Sequence, residues 1–440
     1  MLALCFAALL AARGTAAAPA ACDCNAVPMT HAPVCGSNGL TLINACVAQC
    51  QGITVAKQGA CNQATGPVAA SRAGAGSPDT AAFLQPQHVM KSARVNAATL
   101  TKYSSEGFTY IARVHLSNEK VRPLRFAGGP TPIAAAARAA SASLVATMVT
   151  PAGDIYARIE KGPKAAARGA VSSLRGTLLR SNRTFDAPAM TAAPANGSAT
   201  AGRKLRAVKG PDDRREYDDH NYPWSAIGFI ASGCTGALVG PRTVLTAGHC
   251  VYDDWTRQFM ANLNFFPNRH SGGWHCHGPS NCSTWTQENR WARAITWYHN
   301  APKPSAPGLA TWDGMIADVA VIQLRDDVSS RGMLGLRAEC NTQSMPVSTA
   351  GYPSDKPNYG SRTWFTWGQM NNVNGCGVWS RDAIATSTLD VAGGQSGSPM
   401  FHIVNGELVI RAILIASSPT TTFHRTVDSR VIEFVRANRV

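Results

Sequence analysis

At 440 residues the chain is too long for one ordinary domain, and a prior of roughly 100 to 200 residues per domain points to two to four units. The net charge of +15 would suit a nucleic-acid or anionic membrane partner, but residues 62–210 hold 20 Lys and Arg against 6 Asp and Glu, while residues 211–440 hold 19 of each kind. The excess is scattered among Ala, Gly, Ser and Pro without aromatic interleaving, which excludes a nucleic-acid platform, and no segment has the roughly 20 uncharged apolar residues of a membrane span.

Residues 1–20, "MLALCFAALLAARGTAAAPA", are an apolar run followed by small residues, with Ala18-Pro19-Ala20 as an A-x-A cleavage site. They read as a secretory signal peptide, so the mature protein is expected to be secreted and extracellular. Of 13 cysteines, Cys5 leaves with the signal, and the remaining 12 suit disulfides in an oxidising compartment. Six lie between Cys22 and Cys61, none in residues 62–233, and six between Cys234 and Cys376. That spacing divides the chain into three parts.

Residues 21–61 pack six half-cystines into a stretch too short to build a stable core without staples. Spacing alone leaves 15 pairings open. Pro33-Val34-Cys35-Gly36-Ser37-Asn38-Gly39, Asn44, Cys46-x3-Cys50 and Gly59-x-Cys61 resemble a Kazal-type domain. The resemblance implies Cys22–Cys50, Cys24–Cys46 and Cys35–Cys61 bridges, and Ala26 as the residue offered to a target protease, in cis or in trans. The alternative is a disulfide-stapled spacer.

Residues 62–206 read as a linker followed by a basic propeptide. The first forty residues are Ala, Gly, Ser and Pro rich and cannot bury enough apolar surface to fold. Further on, Phe108–Leu116 alternates like a strand, Ile133–Val149 has a helical pattern and Gly153–Gly162 reads as a second strand. These would make a small α+β unit. Arg203-Lys204-Leu205-Arg206 is a basic run accessible to a processing protease, which places the start of the next domain at residue 207.

Residues 207–440 carry the chemistry. In "LDVAGGQSGSPMF", Ser396 stands among glycines, and a serine hydroxyl is a poor nucleophile without a base and an oxyanion site. A base is available in His249, which follows the apolar run Ala237–Leu245 and is bracketed by Cys234 and Cys250. A disulfide between these two would fix the loop that carries it. Asp318, at the head of the apolar run Val319–Leu324, is a candidate for orienting the imidazole. "WHCHGPSNC" could suggest a metal cluster, but a short Cys276–Cys282 disulfide is the better reading, because a His-Cys-His run cannot point three side chains at one tetrahedral ion. Cys340 and Cys376 are then left to each other. No metal or other cofactor is expected.

Thr246-Ala247-Gly248-His249-Cys250, Asp318-Val319-Ala320-Val321, Gly351-Tyr352-Pro353 and Gly393-Gly394-Gln395-Ser396-Gly397-Ser398-Pro399 together resemble the chymotrypsin-like serine endopeptidases, and more narrowly their bacterial glutamyl endopeptidase branch. "GPDDR" (residues 210–214) followed by "YPWSAIGFI" resembles that branch's mature amino terminus. The resemblance implies an all-β catalytic domain of two antiparallel six-stranded β-barrels. It makes His249, Asp318 and Ser396 the catalytic residues and the N–H groups of Gly394 and Ser396 the oxyanion hole, with protein or peptide substrates. Asp390, six residues before Ser396, stands where trypsin-like enzymes keep the acid that meets a substrate Arg or Lys. Leu414 stands where the glutamyl branch carries a histidine for an acidic side chain. Gln395 replaces the aspartate of the trypsin-type activation switch, so the chain is expected to be a latent precursor activated in another way. The rival from another class is an inhibitor or binding protein acting through residues 21–61, with an inactive protease-like scaffold.

Overall fold

The computed structural model describes residues 34–37, 41–42, 44–50, 53–59, 95–126, 145–159, 206–217, 221–269, 291–301, 308–340, 342–357, 359–360, 362–373 and 383–440. The proposed signal peptide, residues 1–20, lies outside them. Nearest the amino terminus, β1 (Val34–Gly36), β2 (Thr41–Leu42) and β3 (Val55–Gln58) form a small sheet, with α1 (Ala45–Cys50) between the second and third strands. Cys35 and Cys46 are each disulfide-bonded. Cys22, Cys24 and Cys61, and the side chain of Cys50, lie outside the described residues.

The next elements are α2 (Ala97–Ser105), β4 (Thr109–Arg113), β5 (Arg125–Phe126), β6 (Val145–Val149) and β7 (Asp154–Ile159). Asn96 caps α2 by accepting the Ala98 N–H at 2.9 Å. Strands appear where Phe108–Leu116 and Gly153–Gly162 alternate. The expected helix over Ile133–Val149 is a strand over its last five residues, and the side chains of Ala146, Thr147, Met148 and Val149 are buried.

Two short strands follow, β8 (Arg206–Ala207) and β9 (Arg215–Tyr217). The first large sheet then takes β10 (Ile227–Ile230), β11 (Cys234–Gly240) and β12 (Thr243–Thr246). The apolar run Ala237–Leu245 is thus split between two strands, turning at Pro241, which has no N–H to give a ladder. The ribbon β13 (Tyr252–Asp253) and β14 (Gln258–Phe259) precedes β15 (Phe265–Pro267) and β16 (Trp291–Thr296). After β17 (Leu309–Ala310) and α3 (Trp312–Ile316), β18 (Ala320–Leu324) crosses the centre of this sheet with every residue buried.

The remaining elements are β19 (Gly335–Leu336), β20 (Thr342–Gly351), β21 (Thr363–Val373), β22 (Ile384–Ser387), β23 (Val391–Ala392), β24 (Pro399–Val404), β25 (Glu407–Ser417), β26 (Thr422–Thr426) and the terminal α4 (Ser429–Asn438).

Two six-stranded barrels are not what forms. Strands β25, β24, β20, β21, β22 and β26 run in that order and β26 pairs back onto β25, closing one six-stranded barrel. The other sheet runs β15-β10-β11-β12-β18-β16-β6-β7-β4 and stays open. A strand has two hydrogen-bonding edges. On β16 one is used by β18 and the other by β6, through Ala294↔Val149, Ile295↔Met148 and Thr296↔Thr147, so none is left for β15 to close upon. Strands β4, β6 and β7 therefore extend the same sheet as β10–β12 and β18, which replaces the expected separate α+β propeptide unit.

A buried charge closes the carboxyl end. Arg425, fully buried, donates to Asp428 Oδ2 at 2.8 Å and to the Ile316 carbonyl at 2.7 Å, while Asp428 Oδ1 accepts the Val431 N–H at 2.9 Å and so caps α4. Asp428→Ala would take from the buried Arg425 charge the carboxylate of Asp428. It is expected to lower stability by about 3–5 kcal/mol in urea unfolding, with Asp428→Asn, which keeps an N-capping oxygen, losing less.

Candidate active site

The antiparallel register of β12 and β18 sets the position of His249. Thr246 faces Ala320, so the turn that follows β12 arrives opposite the residues that precede β18. His249 lies on a short helical turn, Gly248–Cys250, and Asp318 precedes β18 by two residues. Both are buried, at 1% and 0% exposure. One carboxylate holds the histidine twice. Asp318 Oδ1 accepts its backbone N–H at 2.8 Å, and Oδ2 lies 2.8 Å from Nδ1. With the proton on Nδ1, Nε2 is left as the acceptor, and among the described residues Nε2 has no hydrogen-bond partner.

Close packing around the turn allows this approach. A Cβ at Gly248 would fall 2.4 Å from the Tyr298 Cβ and 3.1 Å from the Val319 nitrogen. Cys234 and Cys250 are joined by a disulfide with Cα atoms 5.9 Å apart, which ties the turn to the start of β11. Donor atoms of Cys234, His249 and Cys250 lie within 4.8 Å of one another, but a disulfide has no thiolate to offer a metal.

Ser396 is 8% exposed, on the loop between β23 and β24. Two glycines with positive φ shape that loop, Gly394 at 91° and Gly397 at 82°. A Cβ at Gly394 would lie 2.3 Å from the Tyr352 carbonyl, and one at Gly397 would lie 2.2 Å from Thr246 Oγ1, on the strand that leads to His249. The Ser396 carbonyl accepts the Thr235 N–H at 2.9 Å, beside Cys234. These contacts bring Ser396, from the closed barrel, against the His249 turn of the open sheet. The Gly394 and Ser396 N–H groups donate to no protein group among the described residues.

Asp390 is packed against residues 209–213. It is 3% exposed, and its two oxygens accept the backbone N–H groups of Lys209 at 2.6 Å and Asp213 at 3.2 Å. Lys209 continues inward, its Nζ donating to the Leu389 carbonyl at 2.8 Å and to Thr422 Oγ1 at 2.7 Å. Leu414 is 3% exposed and lines a pocket beside Ser396 together with Val391, Ala392, Gly393, Ile415 and Ala416. Cys340 is disulfide-bonded, while Cys276, Cys282 and Cys376 lie outside the described residues.

Sequence reasoning missed a cluster behind the serine. Gln395 Oε1 accepts the Ala392 N–H at 2.9 Å and lies 3.3 Å from Arg214 Nη1; the buried Arg214 guanidinium also pairs with Asp212 at 2.9 Å and Asp355 at 2.6 Å. The "GPDDR" motif pointed at Arg214 without showing what it holds. Pro123 and Leu124, which also line the pocket, gave no sequence signal.

Residues 234–409 match the family model of the trypsin-like peptidase domain. Over these residues the chain is similar to trypsin-like serine-protease domains, glutamyl endopeptidase among them. The chain is 29% identical over 212 residues to glutamyl endopeptidase of Bacillus licheniformis, covering 46% of this chain and 57% of that protein. It is 27% identical over 173 residues to serine protease 23 of Homo sapiens, covering 37% and 44%. A solved structure of Glu endopeptidase in complex with MPD aligns at 23% identity with a TM-score of 0.39, over 53% of this chain and 99% of that one. The chain spans about half the length of the curated relatives it matches. The family match lies wholly within the serine-protease domain, and no Kazal-type or separate propeptide domain is detected ahead of it.

Burial pushes the Lys209 ammonium down to about 8, against the opposing attraction of Asp390 and Asp213. Between about pH 8 and the ordinary lysine value the unfolded chain binds more protons at this site than the folded one, so its contribution to stability rises with pH there. The stability of the wild type relative to Lys209→Met is therefore expected to increase from pH 7.5 to pH 10 in paired urea titrations. A difference that stays flat or falls would contradict the burial of this charge.

Proposed function

We propose that the protein is a secreted serine endopeptidase, made as a latent precursor, that hydrolyses peptide bonds in protein or peptide substrates. The observation that carries this reading is the double hold of Asp318 on His249, which leaves Nε2 buried and unpartnered next to the Ser396 loop. In this reading His249 Nε2 takes the Ser396 proton as the hydroxyl attacks the scissile carbonyl, and returns it to the leaving amine. The acyl-enzyme is then released by water through the same base. Asp318 stays ionised and stabilises the imidazolium. The N–H groups of Gly394 and Ser396 receive the oxyanion, and losing one such donor typically costs about 100 to 1,000-fold in rate.

Latency is supported by how the chain ahead of the domain is held. β8 (Arg206–Ala207) pairs with β23 (Val391–Ala392), one wall of the pocket beside Ser396. A cut after Arg206 would divide that strand and free the wall. Secretion rests on the signal-like residues 1–20.

Ser396→Ala is the direct test. In protein cut after Arg206, it is expected to lower peptide hydrolysis by about 10⁴-fold or more and to abolish fluorophosphonate labelling, with the circular dichroism spectrum unchanged. Retention of more than a few per cent of wild-type hydrolysis would refute the assignment of Ser396 as nucleophile.

A further inference from the structure

Residues 117–126 run from one half of the protease domain to the other. On the side that carries His249, Ser117 donates its N–H to the Phe259 carbonyl at 2.7 Å and accepts the Ala261 N–H at 2.8 Å, and Val121 donates to the Ser232 carbonyl at 2.8 Å. On the side that carries Ser396, β5 pairs in parallel with β17 and, at Arg125↔Ser417, with the end of β25. Aromatic packing fixes the far end, where the Phe126 ring lies 4.7 Å from Phe423 and 5.1 Å from Trp312 between centroids. Two cations hold the middle, Lys120 over Tyr359 at 5.0 Å and Arg122 over Trp255 at 5.4 Å.

Between these anchors the segment meets the reactive loop. A Cβ at Gly393 would lie 3.3 Å from Pro123 Cγ, next to the proposed oxyanion hole. Leu124 is 3% exposed and lines the pocket shared by Ser396, Val391, Ala392 and Leu414. Neither nearby charge serves that pocket. The oxygens of Asp390 accept the N–H groups of Lys209 and Asp213, and the Lys209 ammonium is bound by the Leu389 carbonyl and Thr422. The side walls that remain are aliphatic, from Val391, Ala392, Leu414, Ile415 and Ala416, with the hydroxyl-bearing Ser396 and Ser417 beside them and no charged residue in the lining.

We infer that residues 117–126 are an intramolecular inhibitor strapped across the cleft, with Leu124 seated in the substrate pocket, and that the emptied pocket takes an aliphatic substrate side chain. The inference rests on the peptidase reading and specifies how its latency and its specificity arise. It also sets aside a charged substrate residue at this pocket, whether Arg or Lys against Asp390 or Glu against a basic group.

The test compares the wild-type full chain with Leu124→Asp, which places a carboxylate against aliphatic walls with no cation in the lining to receive it. Three readouts are taken: amide hydrogen exchange, the rate of fluorophosphonate labelling, and hydrolysis of peptide p-nitroanilides ending in Leu, Glu or Arg. In the variant, residues 117–126 and 414–417 are expected to exchange faster. Labelling should rise by about tenfold or more, as loss of one buried leucine implies, and the Leu substrate should be cleaved in preference to the other two. Leu124→Ala, which only truncates the side chain, should move each readout the same way by less. Unchanged exchange, equal labelling of labelled proteins, or cleavage of the wild-type strap after Leu124 would overturn the inhibitor. Preference for Glu or Arg would overturn the pocket assignment. Faster exchange without labelling of any form would leave the strap in place and refute the peptidase reading instead.

Discussion

The site depends on one carboxylate satisfying two groups of one residue. Asp318 is fully buried, and a buried carboxylate is costly unless its lone pairs are filled by good donors. The His249 N–H and Nδ1 fill them. That is possible only in the observed register of β12 and β18, since a slip by one residue would turn the β18 side chains to the opposite face. The glycines on either side follow from the same constraint. Gly248 lets the turn press against Tyr298 and Val319, and Gly397 lets the serine loop press against Thr246. Burial raises the Tyr298 hydroxyl well above the ordinary tyrosine range, and the nearby Asp318 charge adds to this, so the wall beside the pair stays neutral.

The two halves deal with their strand edges in different ways. The barrel that carries Ser396 closes on itself and so leaves no edge within its ring. The sheet that carries His249 and Asp318 is continued by β6, β7 and β4, strands that come from well before the domain in sequence. Their residues Met148, Val149 and Ile155 are fully buried, so this extension belongs to the same hydrophobic core as β18. A segment so integrated is also well placed to carry the strap, because β4 ends at Arg113, four residues before Ser117.

How much of this could be read from the sequence depended on the range of the interaction. His249, Asp318 and Ser396 stood out because each lies in a short local motif, His249 after an apolar run, Asp318 at the head of one and Ser396 among glycines, and the three motifs together carried the resemblance to the serine endopeptidases. The Cys234–Cys250 bridge was legible for the same reason, as the two cysteines bracket one hairpin. Strand closure was not legible, because it turns on which strand reaches the free edge of β16, and that partner lies 145 positions earlier at Ala294↔Val149, a pairing that no periodicity encodes. Asp390 was legible only by its position six residues before the serine, because the backbone N–H groups that its carboxylate accepts, from Lys209 and Asp213, lie far away in sequence. Leu124 had no signal at all, since a leucine in a basic, proline-containing stretch is distinguished only by the pocket it meets.

The residue before the serine shows how a neutral side chain can hold a loop where a charged one serves in trypsin-like chains. Gln395 cannot form an ion pair, so it anchors by accepting the Ala392 N–H and approaching Arg214, whose charge is balanced separately by Asp212 and Asp355. The Arg214 hydrogen bonds hold the Asp212 carboxyl far below the ordinary aspartate range, with Lys356 assisting. A carboxyl depressed in the fold gives stability that is present above its unfolded value and lost only as pH falls through the folded one. Asp212 is therefore still ionised, and still paired with Arg214, at pH values where an unperturbed aspartate would be protonated. Because Gln395 itself does not titrate, the contact that supports the Ser396 loop draws on a cluster whose charge balance is set outside the loop. The link runs through residues 212–214, so the segment that follows the proposed cut after Arg206 is itself part of the support beneath Ser396.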